Sequence, residues 1–450
     1  MAKVLTVILA AGEGTRMKSS LPKVLHPVGG MPIAGHVLRA ARAGGSERIA
    51  MVTGPGHQRV RDAMAAIDPD VKFFEQTERR GTGHAAQMAR EAFESWDGYV
   101  AVVYADHPLL EGRHFSSVIA RLDAGFDAAV LGFEAADPTG YGRLVVEGER
   151  LLAIREHKDA SDAERAIRLC NACILVMRAG LFRSLVDRIE DSNAQSEYYL
   201  TDLVGLAHGD GHKVGYALAD ENEVMGVNDR VQLSRAEHLF QQRMREAAMR
   251  GGVTLHDPST TYFSYDTKIA PDVTIEPGVV FGVGVTVQTG AVIHAYCHIE
   301  GASVGEGASV GPFARLRPEA VLDAGAKVGN FVEIKKAHVG ADAKVSHLSY
   351  IGDADIGDNV NVGAGTITCN YDGFNKARTV VGKGAFIGSN SSLVAPVEIG
   401  EGAYIASGSV ITDAVEADAL GIGRARQTNK PGYGASLRSR FSAIKAAKSK

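Results

Sequence analysis

The chain has 450 residues, 22% of them charged, and a formal net charge of −5. At about 150 residues per domain this length predicts two or three domains, and the lack of a basic surplus argues against sequence-independent nucleic-acid binding. Four cysteines do not make a disulfide framework in so long a chain, and no apolar stretch approaches the roughly 20 residues of a membrane span, so we expect a soluble protein of a reducing compartment, the cytoplasm.

The first apolar run, residues 4–9, leads directly into a glycine turn that contains Gly12 and Gly14 and is followed by Leu21-Pro22-Lys23. Glycines let backbone N–H groups approach an anion, and Arg16 and Lys23 add mobile positive charge. The spacing matches neither the P-loop nor the dinucleotide fingerprint. An ordinary strand-to-helix turn with solvated cations is the alternative, and the added Leu-Pro-Lys favours a triphosphate site.

Up to about residue 228, short β-branched runs alternate with helical stretches. This alternation predicts a mostly parallel sheet covered on both faces, whose ligands bind at the carboxyl ends of the strands. The glycine turn after Leu9 and Asp106 after Tyr104 both fall at such ends. The predicted strands cover residues 6–9, 48–53, 99–104 and 127–132, and the predicted helices lie near 33–43, 58–66, 84–93 and 115–123.

Cys170 and Cys173 have the spacing of a redox or zinc motif, but no second Cys or His pair follows at ligand spacing. They lie in an apolar run, residues 167–177, that predicts a strand. Alternation along that strand predicts thiols on opposite faces, so we expect no redox or metal role.

Residues 229–250 predict one long connecting helix closed by Gly251-Gly252. Beyond it one aliphatic residue recurs every six, with occasional steps of five, which is typical of a hexapeptide β-helix of roughly eight or nine 18-residue coils. Each short strand forms one side of a triangular coil, with the aliphatic side chain pointing into the prism. Residues 368–379 interrupt the count, and we expect this polar and aromatic loop to be functional.

These motifs together resemble the bacterial bifunctional family of N-acetylglucosamine-1-phosphate uridylyltransferase and glucosamine-1-phosphate N-acetyltransferase, from Leu9 to about Arg426. The resemblance implies an α/β protein with a Rossmann-like nucleotidyltransferase domain (residues 1–228), a linker helix (229–250) and a left-handed parallel β-helix with a tail (251–450). It also implies a homotrimer that makes UDP-N-acetylglucosamine for peptidoglycan and lipopolysaccharide from acetyl-CoA, glucosamine 1-phosphate and UTP, with no nucleic-acid or membrane partner.

For uridylyl transfer, the resemblance implies that Arg16 and Lys23 stabilise the phosphates and that Asp106 and Asn228 hold Mg²⁺. A hard cation of this kind prefers oxygen ligands. The implied nucleotide- and sugar-binding residues are Leu9, Ala10, Gly12, Gly14, Lys23, Gln76, Gly81, Thr82, Tyr104, Asp106, Gly142, Glu156, Asn171 and Asn228.

For acetyl transfer, the resemblance implies that His347 is the general base, with Asn370 beside it; an imidazole suits this role because it exchanges protons readily near neutral pH. The implied sugar-phosphate residues are Arg317, Lys335, Tyr350, Asn361 and Lys376. The implied acetyl-CoA residues are Ala364, Asn370, Tyr371, Ser389, Ser407 and Arg424.

Three places depart from the family pattern: Ala105 replaces a glycine, Ala172-Cys173 replaces a small hydroxyl residue and glycine, and Ser407 replaces an alanine. Two rival hypotheses stay open. One is a single-activity sugar nucleotidyltransferase with a regulatory β-helix, which His347 and the 368–379 loop argue against, and the other is a β-helix that serves only as a scaffold. The basic stretch 438–450 predicts a flexible solvated tail.

Overall fold

The computed structural model describes residues 3–448, which form two compact units. One unit comprises the chain up to residue 247 together with 263–265, and the other comprises 248–262 and the residues from 266 onward. Among the described residues, no helix is both long and apolar enough to cross a membrane.

The first unit is an α/β sheet whose elements follow the predicted alternation. Its strands are β1 Val4–Ala10, β2 Ser46–Thr53, β3 Lys72–Glu75, β4 Tyr99–Tyr104, β5 Ala128–Glu134, β6 Arg143–Glu147, β7 Arg150–Arg155, β8 Leu169–Arg178 and β9 Val214–Leu218. Its helices are α1 Ile33–Ala43, α2 Gln58–Ile67, α3 Thr82–Met88, α4 Arg90–Phe93, α5 Gly112–Asp123, α6 Asp162–Arg165, α7 Ala179–Val186, α8 Asp202–Gly209 and α9 Arg230–Arg250.

The strand order β9-β5-β8-β4-β1-β2-β3 puts β1 in the interior between β4 and β2, with β8 antiparallel to both of its neighbours. Alternate residues of β1 enter two separate cores, so Leu5 and Val7 pack on one face while Val4 and Ile8 pack on the other. A strand that is covered on both faces is apolar throughout, as β1 is. The hairpin β6-β7 and the helices α7 and α8 had no prediction from sequence.

The expectation that Cys170 and Cys173 face opposite sides is wrong. Both thiols enter the same core, because β8 contains a bulge at Cys173, where φ is +68° and the register with β5 shifts. Alternation is kept on both sides of the bulge, since Cys170, Ala172, Ile174 and Val176 all enter this core, and only Cys173 departs from it.

The second unit is a parallel β-helix of two- to seven-residue strands. One column holds ten strands, from Thr254–Leu255 to Leu420–Gly421, and the long strands Glu333–Val339 and Tyr350–Ile356 each contribute to both of the other columns. Most register partners lie 18 or 17 residues apart, as in Thr274 with Val292 and Val292 with Ser309, and partners across the 368–379 loop lie 25 apart, as in Asn361 with Phe386. The buried aliphatic side chains, such as Ile275, Ile293 and Val310, stack along the prism axis, as the six-residue period predicts.

The chain leaves the β-helix between Ile367–Cys369 and Thr379–Val381, at the predicted interruption. Within this loop Phe374 is 92% exposed. At the other end of the unit, Tyr433–Lys448 forms the helix α10, with no buried residue, where a flexible tail is predicted from sequence.

Candidate functional site

The first candidate site is a cleft of about 300 Å³ at the carboxyl ends of β1 and β4. It is lined by Leu9, Ala10, Ala11, Gly12, Lys23, Val24, Gln76, Arg79, Gly81, Thr82, Ala85, Tyr104, Asp106 and Glu197. Nine of the residues predicted for this site are therefore neighbours on its wall. Parallel strands bring their carboxyl ends to one edge of a sheet, which explains why residues far apart in sequence meet here.

Two glycines of the cleft have backbone conformations that other residues rarely adopt. Gly14 has φ of +65°, and a Cβ atom there would lie 2.4 Å from the Cβ atom of Lys23. Gly81 has φ of +108°, and its Cβ atom would lie 2.5 Å from the carbonyl oxygen of Tyr198. Only glycine allows these close approaches. At Gly14 the approach brings the backbone of the glycine turn into contact with the side chain of Lys23.

Lys23 joins the two predicted metal ligands. Its ammonium nitrogen lies 2.6 Å from Oδ2 of Asp106 and 3.1 Å from Oδ1 of Asn228. The two ligand oxygens thus converge on a single cation. The backbone tightens this arrangement, because the N–H of Val227 donates to the carbonyl of Asp106 at 2.8 Å.

Asp106 is ionised in this setting. Burial alone would raise the pKa of this carboxyl, but the charges of His107 and Lys23 lower it below its usual range. A carboxylate oxygen and an amide oxygen that face one point suit a hard divalent cation. The residues present therefore fit Mg²⁺, which Asp106 and Asn228 would hold.

The side of the cleft that is predicted to read the base contains Gln76, which is 4% exposed. Its Nε2 donates to the carbonyl of Gly81 at 3.0 Å and lies 3.2 Å from Nδ1 of His84. Thr82 accepts a hydrogen bond from the N–H of Leu200 at 3.0 Å. These bonds hold the segment that leads into α3.

The predicted sugar residues lie together beside the cleft. The N–H of Asn171 donates to the carbonyl of Gly142 at 2.8 Å, and a Cβ atom on Gly142 would lie 3.4 Å from Oε1 of Glu156. That oxygen accepts a hydrogen bond from Thr201 at 2.9 Å. Burial raises the pKa of Glu156. Asn171 and Tyr104 both line a small adjoining cavity.

Two residues of the first site depart from expectation. Arg16 lies on a short 3₁₀ turn with an exposed side chain, and it does not line the cleft. Arg79, which has no predicted role from sequence, does line it, donates to the carbonyl of Ala11 at 3.2 Å and pairs with Glu13. The sequence could have indicated Arg79 as a site residue, because it lies between Gln76 and Gly81, which are both predicted to bind the nucleotide.

The second candidate site follows one corner of the β-helix and begins at His347. Nδ1 of this exposed histidine lies 2.7 Å from Oδ1 of Asn330, its register partner one coil earlier. An amide oxygen only accepts hydrogen bonds, so Nδ1 carries the proton and Nε2 keeps its lone pair. Asn330 had no predicted role, although counting 17 residues back from His347 would have found it.

The predicted acetyl-CoA residues continue along the same corner, one coil at a time. Gly365 donates to the carbonyl of His347 at 3.2 Å, Asn390 to that of Ala364 at 2.7 Å, and Gly408 to that of Ser389 at 2.8 Å. A Cβ atom on Gly408 would lie 3.8 Å from Cδ of Arg424. Ser407 is the exposed neighbour of Gly408. A continuous line thus runs from His347 to Arg424.

The predicted sugar-phosphate residues lie on the face that follows this corner. Arg317 pairs with Glu333 at 2.8 Å, and Lys335 is the register partner of Gly352. The hydroxyl of Tyr350 folds over Gly352, where a Cβ atom would lie 2.3 Å from it. Asn361 belongs to the column of His347, as the register partner of Lys344.

The 368–379 loop contains three of the predicted residues, Asn370, Tyr371 and Lys376. The amide of this buried residue donates to the carboxylate of Asp353, while the side-chain partner of His347 is Asn330. Tyr371 and Lys376 form an isolated antiparallel bridge at the exposed end of the loop.

Comparisons with known proteins place these two regions in context. A model described as the MobA-like NTP transferase domain matches residues 6–174, and one described as bacterial transferase hexapeptide (six repeats) matches residues 378–413. Three relatives named bifunctional protein GlmU are similar along nearly their whole length. The protein of Azorhizobium caulinodans is 54% identical (97% of each chain), that of Brucella suis biovar 1 is 54% identical (99% of this chain, 98% of the relative), and that of Agrobacterium fabrum is 53% identical (99% and 98%).

Proposed function

Because the chain belongs to the GlmU family of bifunctional enzymes, which make UDP-N-acetylglucosamine by acetyl transfer and then uridylyl transfer, we propose that the two steps occur at the two sites described above. Uridylyl transfer uses the cleft of the first unit, and acetyl transfer uses the corner of the β-helix. We assign residues 1–228 to the uridylyltransferase domain, 229–250 to the linker helix and 251–450 to the acetyltransferase domain. The observation that carries the proposal is the convergence of Lys23, Asp106 and Asn228 in the cleft.

In uridylyl transfer the phosphate oxygen of N-acetylglucosamine 1-phosphate attacks the α-phosphorus of UTP, and the bond to pyrophosphate breaks. The nucleophile is already an anion at neutral pH, so catalysis consists of positioning and charge stabilisation. We propose that Lys23 and Arg79 supply positive charge from the cleft wall and that Arg16 adds a third cation from the exposed turn. Mg²⁺, when held by Asp106 and Asn228, neutralises phosphate charge.

Nucleotide and sugar are held by different walls. Leu9, Ala10, Gly12 and Gly14 form the phosphate turn, Gln76, Gly81 and Thr82 read the base, and Gly142, Glu156 and Asn171 hold the sugar beside Tyr104. The buried carboxyl of Glu156 is suited to accept a sugar hydroxyl, because Thr201 already orients one of its oxygens.

In acetyl transfer the amine of glucosamine 1-phosphate attacks the thioester carbon of acetyl-CoA, and the carbon–sulfur bond breaks. We propose that Nε2 of His347 accepts the amine proton, which then passes to the departing thiolate. Asn330 orients the imidazole by holding Nδ1–H. Arg317 and Lys335 bind the sugar phosphate, and Tyr350, Asn361 and Lys376 contact the sugar.

Acetyl-CoA binds along the corner that begins at His347. We assign Ala364, Asn370, Tyr371, Ser389 and Ser407 to the pantetheine and Arg424 to the nucleotide phosphates, because a guanidinium suits phosphate oxygens. The line that Ala364, Ser389, Ser407 and Arg424 form, coil after coil, supports an extended ligand, and Asn370 and Tyr371 would contact it from the 368–379 loop.

The protein is proposed to be a homotrimer of the cytoplasm that supplies precursor for peptidoglycan and lipopolysaccharide. The assembly of several copies is supported by an exposed apolar column beside the His347 corner. In this column Tyr296, Phe313 and Phe331 stack with ring centroids 5.0 and 5.4 Å apart and are 48–60% exposed. Exposed apolar patches of this kind mark interaction surfaces. Sedimentation equilibrium should give three times the 47.5 kDa chain mass.

One incubation tests the proposed function as a whole. With glucosamine 1-phosphate, acetyl-CoA, UTP and Mg²⁺, the protein should release both CoA and pyrophosphate. Omitting UTP should leave CoA release alone, and supplying N-acetylglucosamine 1-phosphate with UTP should give pyrophosphate alone. Pyrophosphate without CoA in the first incubation would instead favour a nucleotidyltransferase whose β-helix is only structural.

A further inference from the structure

We infer that His107 is a positioning residue of the uridylyltransferase site, which holds the carboxylate of Asp106 in place for its metal. The inference rests on the proposed metal site at Asp106 and Asn228. His107 is not among the residues assigned above to the phosphate turn, the base-reading segment or the sugar wall.

The first observation is the geometry of the two side chains. Nδ1 of His107 lies 2.8 Å from Oδ1 of Asp106, and both side chains are largely buried. Neither of these two buried atoms meets the angular requirements of a hydrogen bond within the described residues, so the contact is a close polar approach of the imidazole to the carboxylate. The imidazole is thus the polar neighbour of one carboxylate oxygen, while the other oxygen, Oδ2, accepts from Lys23, which also donates to Oδ1 of Asn228.

The second observation is that His107 also contacts the segment of the other predicted ligand. A Cβ atom on Gly226 would lie 3.1 Å from Nε2 of His107, so the ring packs against the backbone two residues before Asn228. Val227 closes the same structure by its hydrogen bond to the carbonyl of Asp106. One buried ring therefore supports both segments that carry the metal-ligand oxygens.

The third observation concerns the bulge of β8. Cys173, which stands where the family pattern has glycine, is buried beside His107 and keeps φ of +68°. A non-glycine residue in this conformation costs free energy and persists when its surroundings hold it. Cys173 packs with Asp106 and His107, and its side chain makes a contact with the imidazole that a glycine at this position could not make.

Groups behind a metal ligand set its orientation, and their loss typically costs 10- to 100-fold in metal affinity or activity. His107→Leu removes the polar contact, whereas His107→Asn keeps a donor near the position of Nδ1. The readout besides activity is a ratio of two UTP dissociation constants measured by calorimetry: the value without Mg²⁺ divided by the value at saturating Mg²⁺. The second readout is the Mg²⁺ concentration at half-maximal uridylyl transfer.

We expect His107→Leu to lower that ratio about tenfold and to raise the half-maximal Mg²⁺ concentration by a similar factor, with His107→Asn recovering most of the loss. The matched control is His114→Leu, since His114 is also buried and pairs with a carboxylate, Glu223, at 3.1 Å. This control should destabilise the unit without changing the ratio.

An unchanged ratio in His107→Leu overturns the inference, as does an Asn variant as impaired as the Leu variant. An equal loss in the His114 control also overturns it, because the effect would then be general destabilisation. Asp106→Ala separates this inference from the proposed function. If Asp106→Ala keeps the wild-type ratio, the metal assignment itself is wrong. If Asp106→Ala lowers the ratio and His107→Leu keeps it at the wild-type value, only the role of His107 is refuted.

Discussion

The cleft of the first unit and the corner of the β-helix assemble their functional groups in opposite ways. In the cleft, Lys23 reaches partners 83 and 205 residues away, and the charges are buried and coupled. On the corner, His347 and Asn330 are 17 residues apart, and the groups are exposed and repeat coil by coil. The cleft therefore depends on the topology of the whole sheet, whereas the corner depends on the count of residues per coil.

The largest expected effect separates the two regions. Asp106→Ala should reduce uridylyl transfer about 1,000-fold or more, since a metal supplies several kcal/mol to the transition state, and leave acetyl transfer unchanged. His347→Ala should reduce acetyl transfer about 100- to 10,000-fold and leave uridylyl transfer unchanged. Both activities are measured in each variant, and loss of both activities from either change would mean that folding was disturbed.

The next effect tests the orientation of the base. Asn330→Ala should lower kcat of acetyl transfer about tenfold, the equivalent of one hydrogen bond. Asn330→Asp places a carboxylate against the ring, which favours the imidazolium over the neutral ring that activity requires. The acidic limb of the pH–rate profile should therefore move to higher pH. A limb that stays in place, or moves to lower pH, would argue against contact between the two side chains.

A smaller effect tests the backbone of the cleft. Gly81→Ala places a methyl group against Tyr198, so the KM for UTP should rise about tenfold, in line with roughly 1–3 kcal/mol of backbone strain. Gly125→Ala is the matched control, because its φ of +99° resembles that of Gly81 (+108°) and nothing lies within 4 Å of its Cβ position. If both variants bind UTP equally well, the close approach to Tyr198 does not shape the site.

The smallest effect tests the sugar face of the β-helix. Gly352→Ala should displace the Tyr350 hydroxyl and raise the KM for glucosamine 1-phosphate about threefold to tenfold, the cost of a weakened hydrogen bond. Gly307→Ala serves for comparison, since no atom lies within 4 Å of its Cβ position. Uridylyl transfer is measured alongside and should not change in either variant.

The contrast between local repetition in the β-helix and long-range packing in the cleft also explains which residues could be predicted from the sequence. The six-residue period located the prism core at positions such as Ile293 and Val310, because each coil repeats one local rule. Strand ends pointed to Asp106 and the glycine turn. Arg79 and His107 carry no such periodic signal, since their positions depend on how separate loops pack at the sheet edge.

One error has a local cause that the sequence pattern hides. Cys173 lies in a bulge of β8 and has φ of +68°, so its thiol enters the same core as that of Cys170, although strict alternation predicts opposite faces. A bulge has no period from which its side-chain direction could be derived. The place of Asn370 beside the base stays a prediction, and in the structure the amide of this loop residue donates to Asp353.

By itself, the sequence determined the class of each unit, the six-residue repeat and the residue types needed for phosphate, metal and base, because these follow from local periodicity and elementary chemistry. Only the tertiary structure decided which of those residues meet. Lys23, Asp106 and Asn228 share one cation position, and Asn330 selects the tautomer of His347, because contacts between residues distant in sequence are made by the packing of whole strands and coils.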